Sequence, residues 1–510
     1  MNHLPLLVLI FLIPRVPLLP HAPKGVDSFF HLLAARRFEK GFPKKLDAFI
    51  IGDDYAYPPL FHLLLSLVPE EFREMAPLLL GVASELGSLI LLYALSSALF
   101  GEAVAALSAL AYSFTPVNYA ESIWQTPRPL GIFLYNLSMA LLLLAPPSAR
   151  PLAALSIALL LLTHRLSAQA LWLSSALLLP LLVGGDPPAI AWIPLGFALA
   201  LAISKGSYLR ILRDHLEHIR FHLRYGEMGR GRKRPGNPLD LAKLNPFAAI
   251  PFLGLMAHPG LLGDPLLWWL AAALALFFAW IWGDGHRYLA FASFPASILI
   301  ARLSLLQSPA ILIATPLAFA LSARKVYWIA RSFADWPSYS PLKALGIPRS
   351  SRAFTPDALN YALPYYTGCK ALCGPGSEAL YFWRERLYPL TKERLKAIAD
   401  EYGLTHMLIP KGEAGKVPEG FIRRGEALGH LLFERAGPAG KARQWLDADE
   451  RDLAGMASNN HSAIKKGDIF GALYLFDQVG AGQVASIVAY SVGQTILNFP
   501  PLICATQMAV

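Results

Sequence analysis

Long apolar stretches alternate with short polar ones along the first two thirds of the chain, and this pattern stops near residue 322. A helix that crosses a bilayer needs about 20 predominantly apolar residues. The apolar stretches therefore predict a polytopic α-helical membrane protein with about eleven spans. They cover residues 4–20, 76–99, 102–119, 129–145, 151–163, 168–184, 189–206, 244–260, 265–283, 288–303 and 308–322.

After residue 322 the pattern is typical of a water-soluble domain. The segment SEALYFWRERLYPLTKERLKAIADEYG places apolar residues at helical spacing, and THMLIP and HLLFERAG have the composition of short strands. Residues 323–445 are therefore predicted to form a C-terminal soluble α/β domain, and residues 1–322 the transmembrane domain. The tail at 446–510 is left open between a twelfth span and a peripheral segment, because AGQVASIVAYSVGQTILNFPPLICA is only weakly apolar.

Composition supports a membrane protein and narrows the chemistry. Hydrophobic residues make up 55% of the chain and charged residues only 16%, with a mean hydropathy of +0.43, whereas soluble domains carry about 25% charged residues. Three cysteines are too few for a disulfide framework, although one bond between Cys369 and Cys373 is an alternative in an oxidising compartment. The basic loop at 207–243 lies between predicted spans, which argues against nucleic acid as its partner.

Successive loops alternate between the two sides of the membrane, so the polar loops, which follow the odd-numbered spans, lie on one side. Because the total number of spans is odd, the soluble domain lies on that side too. We call this side the working face; it comprises the loops at 21–75, 120–128, 164–167, 207–243 and 284–287. The loops on the opposite side are short and carry few ionisable residues. The candidate residues of the working face are Asp27, His31, Asp53, Asp54, Glu121, Arg128, His164, Arg165, Asp284, His286 and Arg287.

Basic residues at the tips of the spans predict a phosphate site. Arg128, the pair His164 and Arg165, and the pair His286 and Arg287 each place hydrogen-bond donors at headgroup depth. Arginine pairs bidentately with phosphate oxygens, and a neighbouring histidine adds a further donor. Such a site would hold a phosphate whose hydrocarbon tail runs between the helices. The alternative is that these residues are interfacial anchors.

The acids of the working face are candidates for proton transfer or for metal binding. Asp27 either caps a helix over residues 28–39, or takes a proton from an acceptor or binds a divalent cation beside His31. Asp53 and Asp54 form a second acidic pair, which suits Mg²⁺ or Mn²⁺ but is equally typical of a solvated turn. Glu121, ahead of Arg128, is a third candidate acid.

These residues resemble those of the GT-C superfamily of integral membrane glycosyltransferases, which includes protein O-mannosyltransferases and oligosaccharyltransferases of archaeal and bacterial type. The similar segments are VDSFFHLLAARRFEKGFP with DDYAYPPLFHLLLSL, then TPRPLG, GDGHRYLAFASFPA and the C-terminal α/β region. The resemblance implies that Asp27 is the catalytic or metal-associated acid. It also implies that Arg128, His286 and Arg287 contact the donor phosphate.

The leading hypothesis is a hexosyltransferase that takes a sugar from a polyprenyl-phosphate-linked donor to a lipid, glycan or protein acceptor. Asp27, Glu121 and Asp54 are its candidate catalytic acids, and Mg²⁺ or Mn²⁺ its candidate cofactor, held by Asp27, Asp53 and Asp54. Transfer of a whole lipid-linked glycan is less favoured, because the soluble domain has no WWDYG-like run. The sequence also leaves open a transporter or flippase for a polyprenyl-linked substrate, and a non-catalytic membrane scaffold.

The positive-inside rule and the family resemblance predict opposite orientations of the chain in the membrane. Lysine and arginine concentrate on the working face, and the positive-inside rule would place that face in the cytoplasm. The resemblance implies instead a multi-pass protein of the cell membrane whose working face and C-terminal domain are extracytoplasmic. We follow the resemblance, because loops that bind phosphate need basic residues on either side.

Overall fold

The computed structural model describes residues 3–39, 41–184, 188–225, 237–255, 258–278, 285–306, 309–356 and 359–436. They form two compact units. The described part of the first unit comprises residues up to 44 and residues 55–338, and that of the second comprises residues 45–54 and those from 339 onward. Asp284 and the predicted tail at 446–510 lie outside the described residues.

The first unit is helical. Short 3₁₀ helices at Val16–His21, Ala189–Ala191, Pro246–Ala248, Pro259–Gly263 and Gly285–Tyr288 link its longer elements. Its α-helices are α1 (Leu4–Leu12), α2 (Val26–Phe38), α3 (Leu60–Ser66), α4 (Glu70–Arg73), α5 (Ala76–Phe100), α6 (Glu102–Ser113), α7 (Pro116–Ile123), α8 (Arg128–Leu143), α9 (Pro151–Leu161), α10 (Arg165–Leu177), α11 (Leu179–Val183), α12 (Trp192–Ile203), α13 (Ser207–Tyr225), α14 (Pro238–Leu244), α15 (Ile250–Leu255), α16 (Pro265–Phe278), α17 (Leu289–Leu305) and α18 (Pro309–Asp335).

Proline explains where several predicted spans are interrupted. Pro116 ends the stretch predicted at 102–119, because proline lacks an N–H and disfavours helical backbone in the residue before it, so α6 stops and α7 begins anew. Pro180 follows the break between α10 and α11, and Pro17 opens the 3₁₀ turn after α1. Apolar composition alone therefore overestimates the length of these helices.

The core of this unit is a bundle in which α17 is nearly enclosed. It packs against α6 and α16, while α5 packs against α6 and α8, and α9 packs against α8 and α12. Small residues permit close approach at these crossings. A Cβ atom at Gly196 of α12 would come within 2.9 Å of the carbonyl oxygen of Ala154 in α9.

Three helical stretches among the described residues are long and apolar enough to cross a membrane: Leu4–His21, Ala76–Phe100 and Gly285–Leu305. A fourth is obtained if α12 and α13, which meet at 111°, count as one broken span. Several further apolar helices are shorter. The figure of about eleven spans therefore stays a prediction from hydropathy.

The second unit is an α/β domain. One sheet contains β1 (Phe49–Ile51), β2 (Arg352–Phe354), β3 (Lys370–Cys373), β4 (His406–Pro410), β5 (Phe421–Ala427) and β6 (His430–Arg435) in the order β1-β3-β2-β4-β6-β5. The first four strands are parallel, and β6 and β5 are antiparallel. Helices α19 (Leu359–Thr367), α20 (Ser377–Phe382) and α21 (Lys392–Glu401) complete it, with a π turn at Trp383–Leu387 and 3₁₀ helices at Ser340–Leu345 and Lys411–Lys416.

The limits of this unit differ from those expected. Helix α18 continues past residue 322 to Asp335, and the unit itself begins at Tyr339. It also takes in residues 45–54 of the first loop, whose strand β1 forms an edge of the sheet by pairing with β3. Cys369 and Cys373 are buried free thiols rather than a disulfide.

Candidate functional site

Asp27 lies in the first turn of α2, and its side chain is exposed. The helix begins at Val26 after Gly25, whose φ of 87° is the left-handed conformation that glycine tolerates best. The alternative that Asp27 caps a helix over 28–39 is therefore wrong. A negative charge in the first turn does interact favourably with the helix dipole.

The residue before Gly25 anchors this helix start to other elements of the first unit. The backbone N–H of Lys24 donates to Oε1 of Gln125 at 3.0 Å, and its Nζ donates to the carbonyl oxygen of Ala334 at 2.8 Å. Gln125 belongs to the turn between α7 and α8, and Ala334 to the end of α18. The start of α2, with Asp27 in its first turn, is thus held beside the turn that precedes Arg128.

Arg128 is the first residue of α8, and Glu121 of α7 holds its guanidinium group. Nη1 of Arg128 lies 2.7 and 2.5 Å from the two carboxylate oxygens of Glu121, and both side chains are largely buried. Asp27 lies within electrostatic range of Arg128. Glu121, predicted as a candidate catalytic acid, is therefore an ion-pair partner of the predicted phosphate ligand.

Arg165 is held from three directions at the start of α10. Its Nη2 lies 2.6 Å from Oδ2 of Asp214 in α13 and also donates to the carbonyl oxygen of Ala56. The centre of its guanidinium group lies 5.1 Å from the ring centroid of Tyr57, a cation–π arrangement. Ala56 and Tyr57 belong to the first loop, so this loop and α13 both position Arg165.

His164 caps α10 with its side chain. Its Nδ1 accepts from the backbone N–H of Ser167 at 3.3 Å, and the ring is buried. It lies within electrostatic range of Arg128, Arg165 and Arg287. Three of the predicted phosphate ligands, Arg128, Arg165 and Arg287, are therefore grouped around His164. The Nδ1 atom of His164 itself is engaged by the backbone N–H of Ser167.

His286 and Arg287 occupy the 3₁₀ turn at Gly285–Tyr288, directly ahead of α17. The next residue, Tyr288, donates from its hydroxyl group to Oε1 of Gln169 at 2.9 Å. Nε2 of Gln169 lies in turn 2.7 Å from Nε2 of His215 in α13. This polar chain connects the turn with α10 and α13, the same two helices that hold Arg165.

A hydrogen-bonded chain of three buried side chains lies within the first loop. Nδ1 of His31 in α2 is 2.7 Å from Nε2 of His62 in α3, and Nδ1 of His62 is 2.5 Å from the hydroxyl oxygen of Tyr55. Burial lowers the pKa of His62 to about 3. Burial also lowers the pKa of His31 well below its usual range, and the neighbouring His62, His164 and Arg128 lower it further. Both rings are therefore neutral near pH 7.

The tyrosines of the first loop also keep their protons. Burial raises the pKa of Tyr55 well above its usual range. Burial raises the pKa of Tyr57 to about 12; Asp27 raises it as well, while Arg165 and Arg128 lower it. With Tyr55 as the donor, Nε2 of His62 donates to His31, and the remaining ring proton of His31 is on its Nε2.

Asp53 and Asp54 belong to the second unit. Asp53 pairs with Lys45 at 3.1 Å, which raises the pKa of that lysine, and Asp54 forms an antiparallel backbone bridge with Lys45. Across the described residues, no three histidine, cysteine, aspartate or glutamate side chains lie close enough to hold a metal ion. The proposed metal ligands Asp27, Asp53 and Asp54 are divided between the two units, and their role stays a prediction.

Several polar residues around the site were not singled out from the sequence. They are Arg15, Tyr55, Tyr57, His62, Glu85, Asn118, Asp214 and His215. Arg15 and Glu85 form a buried ion pair. The sequence signal for it is one ionisable residue inside each of two apolar stretches predicted as spans, 4–20 and 76–99. Glu85, Asn118 and Glu121 line one small cavity of the bundle.

Solved structures with the same fold are found among GT-C membrane glycosyltransferases. ArnT from Cupriavidus metallidurans bound to undecaprenyl phosphate superposes with a TM-score of 0.57 at 14% identity, over 85% of this chain and 98% of that one. The oligosaccharyltransferase of Archaeoglobus fulgidus in the apo form gives 0.55 at 10% identity, over 80% and 69%. Archaeal oligosaccharyltransferase AglB from Archaeoglobus fulgidus, in complex with an inhibitory peptide and a dolichol-phosphate, gives a TM-score of 0.52 at 10% identity, over 80% of this chain and 69% of that one.

The resemblance to the GT-C superfamily is thus confirmed at the level of the fold. No protein-family model matches the chain, and no curated protein sequence matches it.

Proposed function

We propose that this chain, which has the fold of the GT-C membrane glycosyltransferases, transfers a sugar from a polyprenyl-phosphate-linked donor to a hydroxyl group of a lipid, glycan or protein acceptor. The observation that carries the proposal is the position of Asp27: an exposed carboxylate at the start of α2, within electrostatic range of both Arg128 and Tyr57. Asp27 as a general base and Arg128 as a phosphate ligand would then act on the same bound donor and acceptor.

The donor phosphate is assigned to the arginines around His164. Arg128, Arg165 and Arg287 lie within electrostatic range of that ring, and His164 and His286 complete the proposed phosphate ligands. Arg128 and Arg165 already have acidic partners in Glu121 and Asp214, which set the direction of their guanidinium groups. The ligand in ArnT, undecaprenyl phosphate, supports a donor with a polyprenyl chain.

The proposed reaction is a displacement at the anomeric carbon. The acceptor oxygen forms a bond to that carbon as the bond from the carbon to the phosphate oxygen breaks, and the polyprenyl phosphate leaves with the bonding electrons. The carboxylate of Asp27 takes the proton from the acceptor hydroxyl. The arginines stabilise the charge that develops on the departing phosphate.

Two further assignments rest on the sequence. Glu121 and Asp54 are retained as alternative catalytic acids, although Glu121 is engaged with Arg128 and Asp54 belongs to the second unit. A requirement for Mg²⁺ or Mn²⁺ is retained as a prediction. The oligosaccharyltransferase of Archaeoglobus fulgidus has been solved in complex with Zn and sulfate, which supports a test with metal ions. The displacement proposed above uses only side chains of this protein and needs no metal ion.

We also propose that the working face is extracytoplasmic and that a single sugar is transferred. A cysteine-accessibility scan of the loop at 207–243 in intact cells tests the orientation. Release of a whole oligosaccharide from the donor would favour the oligosaccharyltransferase alternative. Transport of a polyprenyl-linked substrate across proteoliposomes without any glycosyl product would favour the flippase alternative.

The principal experiment compares two aspartate variants of the full-length protein in membranes supplied with a panel of polyprenyl-phosphate sugars, with and without chelator. Asp27→Asn is expected to reduce transfer by about 10²-fold or more, the range of one general base. Asp400→Asn, an exposed acid of α21 paired with Arg435, is the matched control and should leave transfer unchanged. Full activity of Asp27→Asn would refute the role of Asp27.

A second arm tests the phosphate site. Arg128→Gln alone would leave Glu121 buried without its cation, so the double variant Arg128→Gln/Glu121→Gln removes both charges together. It is expected to raise the KM for the donor while the thermal midpoint changes little. An unchanged KM in a folded double variant would remove Arg128 from the proposed site.

A further inference from the structure

The turn between α12 and α13 sets the direction of a basic helix. The two axes meet at 111°, and the chain turns through Lys205 and Gly206, whose φ values of 49° and 78° are both left-handed. Oγ of Ser204 accepts from the backbone N–H of Tyr208 at 3.1 Å and so satisfies a donor at the start of α13. Since α12 is apolar and packs in the bundle against α9, α13 runs across the end of that bundle.

The inward face of α13 is occupied. Tyr208, Ile211 and Phe221 are buried, Asp214 pairs with Arg165, and His215 meets Gln169. These contacts fix how the helix is rotated about its own axis. They also determine which residues it presents outward.

The outward face alternates leucine with arginine. Leu209, Leu216 and Leu223 are 56%, 54% and 60% exposed, and Arg213 and Arg220 lie between them and are exposed as well. The spacing of four and then three residues places all five side chains along one line of an α-helix. Such a line combines an apolar ridge with a row of cations.

The charge of this face is predominantly positive. Arg210 and Arg224 are also exposed, and the acid beside them, Glu217, pairs with Arg220 at 2.7 Å. Asp214, the other acid of α13, faces inward to Arg165. The outward face therefore carries an excess of arginine next to leucine side chains that no other part of the described chain covers.

We propose that the outward face of α13 binds anionic phospholipid headgroups, with its three leucines inserted among the acyl chains. Basic amphipathic helices lie in the plane of the interface with their apolar residues about 5–10 Å below the headgroups. The near-perpendicular turn after α12 gives α13 that orientation. A protein partner would need acidic side chains for the arginines and an apolar groove for the leucines. A bilayer beside the bundle offers anionic headgroups for the arginines and acyl chains for the leucines.

This binding has a consequence for the site on the inward face. Asp214 lies on α13 and holds Arg165, so a lipid that fixes the outward face also fixes the inward one. The lipid interaction itself does not depend on the proposed glycosyl transfer, and retention of lipid can be measured without any activity.

The experiment uses the full-length protein in nanodiscs of phosphatidylcholine, or of phosphatidylcholine mixed with phosphatidylglycerol. A fluorophore attached at Leu216→Cys should be quenched by brominated acyl chains and protected from aqueous iodide. Phosphatidylglycerol retained per protein after delipidation is measured by mass spectrometry. Each arginine removed from the face is expected to weaken retention about fivefold, which corresponds to about 1 kcal/mol.

The test variant is Arg213→Gln/Arg210→Gln, which removes two positive charges from the outward face of α13. The control is Lys392→Gln/Lys396→Gln on α21 of the second unit, which removes the same number of charges. The first should lose retained phosphatidylglycerol and the second should not. Retention that is equal in all three proteins, or a label at position 216 that iodide quenches and brominated lipid does not, would overturn the proposal. A label shielded from both quenchers would indicate a protein partner instead and would overturn it equally.

Discussion

The imidazole rings of His31 and His62 are hydrogen-bonded to each other: Nδ1 of His31 lies 2.7 Å from Nε2 of His62, and both rings are buried. Two neutral rings at this distance need opposite roles, one as donor and one as acceptor. The hydroxyl group of Tyr55 on the far side of His62 satisfies the second nitrogen of that ring. The chain connects α2 with α3 and so fixes the helix on which Asp27 stands.

The His31–His62 pair predicts a loss of stability in acid. Burial holds the pKa of His62 at about 3, below its unfolded value of about 6.5. The unfolded state therefore binds more protons in the window between these two values, and the free energy of unfolding falls as the pH falls through it. The contribution is fully present above about pH 6.5. Thermal midpoints measured from neutral pH to pH 5 should show this decline.

The variant His62→Gln tests the source of the decline. It removes the titrating ring, so its thermal midpoint should be lower at neutral pH but should change less on acidification. His430→Gln on β6 is a control in the second unit. An identical pH slope in wild type and His62→Gln would show that other groups cause the effect.

A second prediction concerns the buried ion pair of Arg15 and Glu85. The guanidinium group meets both carboxylate oxygens at 2.8 and 2.6 Å, with side-chain exposures of 0% and 3%. Glu85→Ala leaves a buried cation without its partner and is expected to cost about 3–5 kcal/mol in the free energy of unfolding. The double variant Arg15→Met/Glu85→Gln should recover most of that loss.

An exposed pair supplies the control for this prediction. Arg386 and Glu401 in the second unit lie 2.5 Å apart, but both are about half exposed. Glu401→Ala should cost about 1 kcal/mol or less, because water screens the pair. Chemical denaturation in detergent would measure all four proteins, and equal losses for Glu85→Ala and Glu401→Ala would contradict the difference expected from burial.

A third prediction tests the close contact between α8 and α10. A Cβ atom at Gly131 would lie 2.3 Å from Oγ of Ser167 and 3.0 Å from Cβ of His164. Gly131→Ala should therefore separate the two helices and cost about 1–3 kcal/mol. Because Arg128 and Arg165 begin these helices, the donor KM should rise as well.

Gly260→Ala is the matched substitution, since nothing lies within 4 Å of a Cβ atom there. It should leave both the thermal midpoint and the donor KM unchanged. If Gly131→Ala were as stable as wild type with the same KM, the helices would tolerate the added methyl group and the contact would not position the arginines.

Much of the secondary structure could be predicted because its determinants are local. The apolar run at 76–99 forms α5, and THMLIP and HLLFERAG form β4 and β6. The predicted topology placed Arg128, His164 and Arg165 together at the tips of spans, and in the structure both arginines lie within electrostatic range of His164. Their roles as phosphate ligands stay predictions.

Other features depend on partners distant in the chain. His62 has no local signal that distinguishes it from other residues of α3, and only the approach of α2 makes it the partner of His31. The acidic pair at Asp53 and Asp54 looked like a metal ligand set, but Lys45 engages both residues in the second unit. Strand β1 is too short to stand out from the first loop, and it is a strand because β3 pairs with it.

The membrane character, the change to an α/β domain and the concentration of ionisable residues in a few loops could all be predicted from the order of residues along the chain. These follow from the cost of placing charge in hydrocarbon and from side-chain periodicity, which act within one segment. The acid that pairs with each arginine could not be predicted in this way: it is Glu121 for Arg128, Asp214 for Arg165 and Glu85 for Arg15. Ion pairs depend on distances of a few ångströms between groups far apart in the chain, and only the packing of the helices sets those distances.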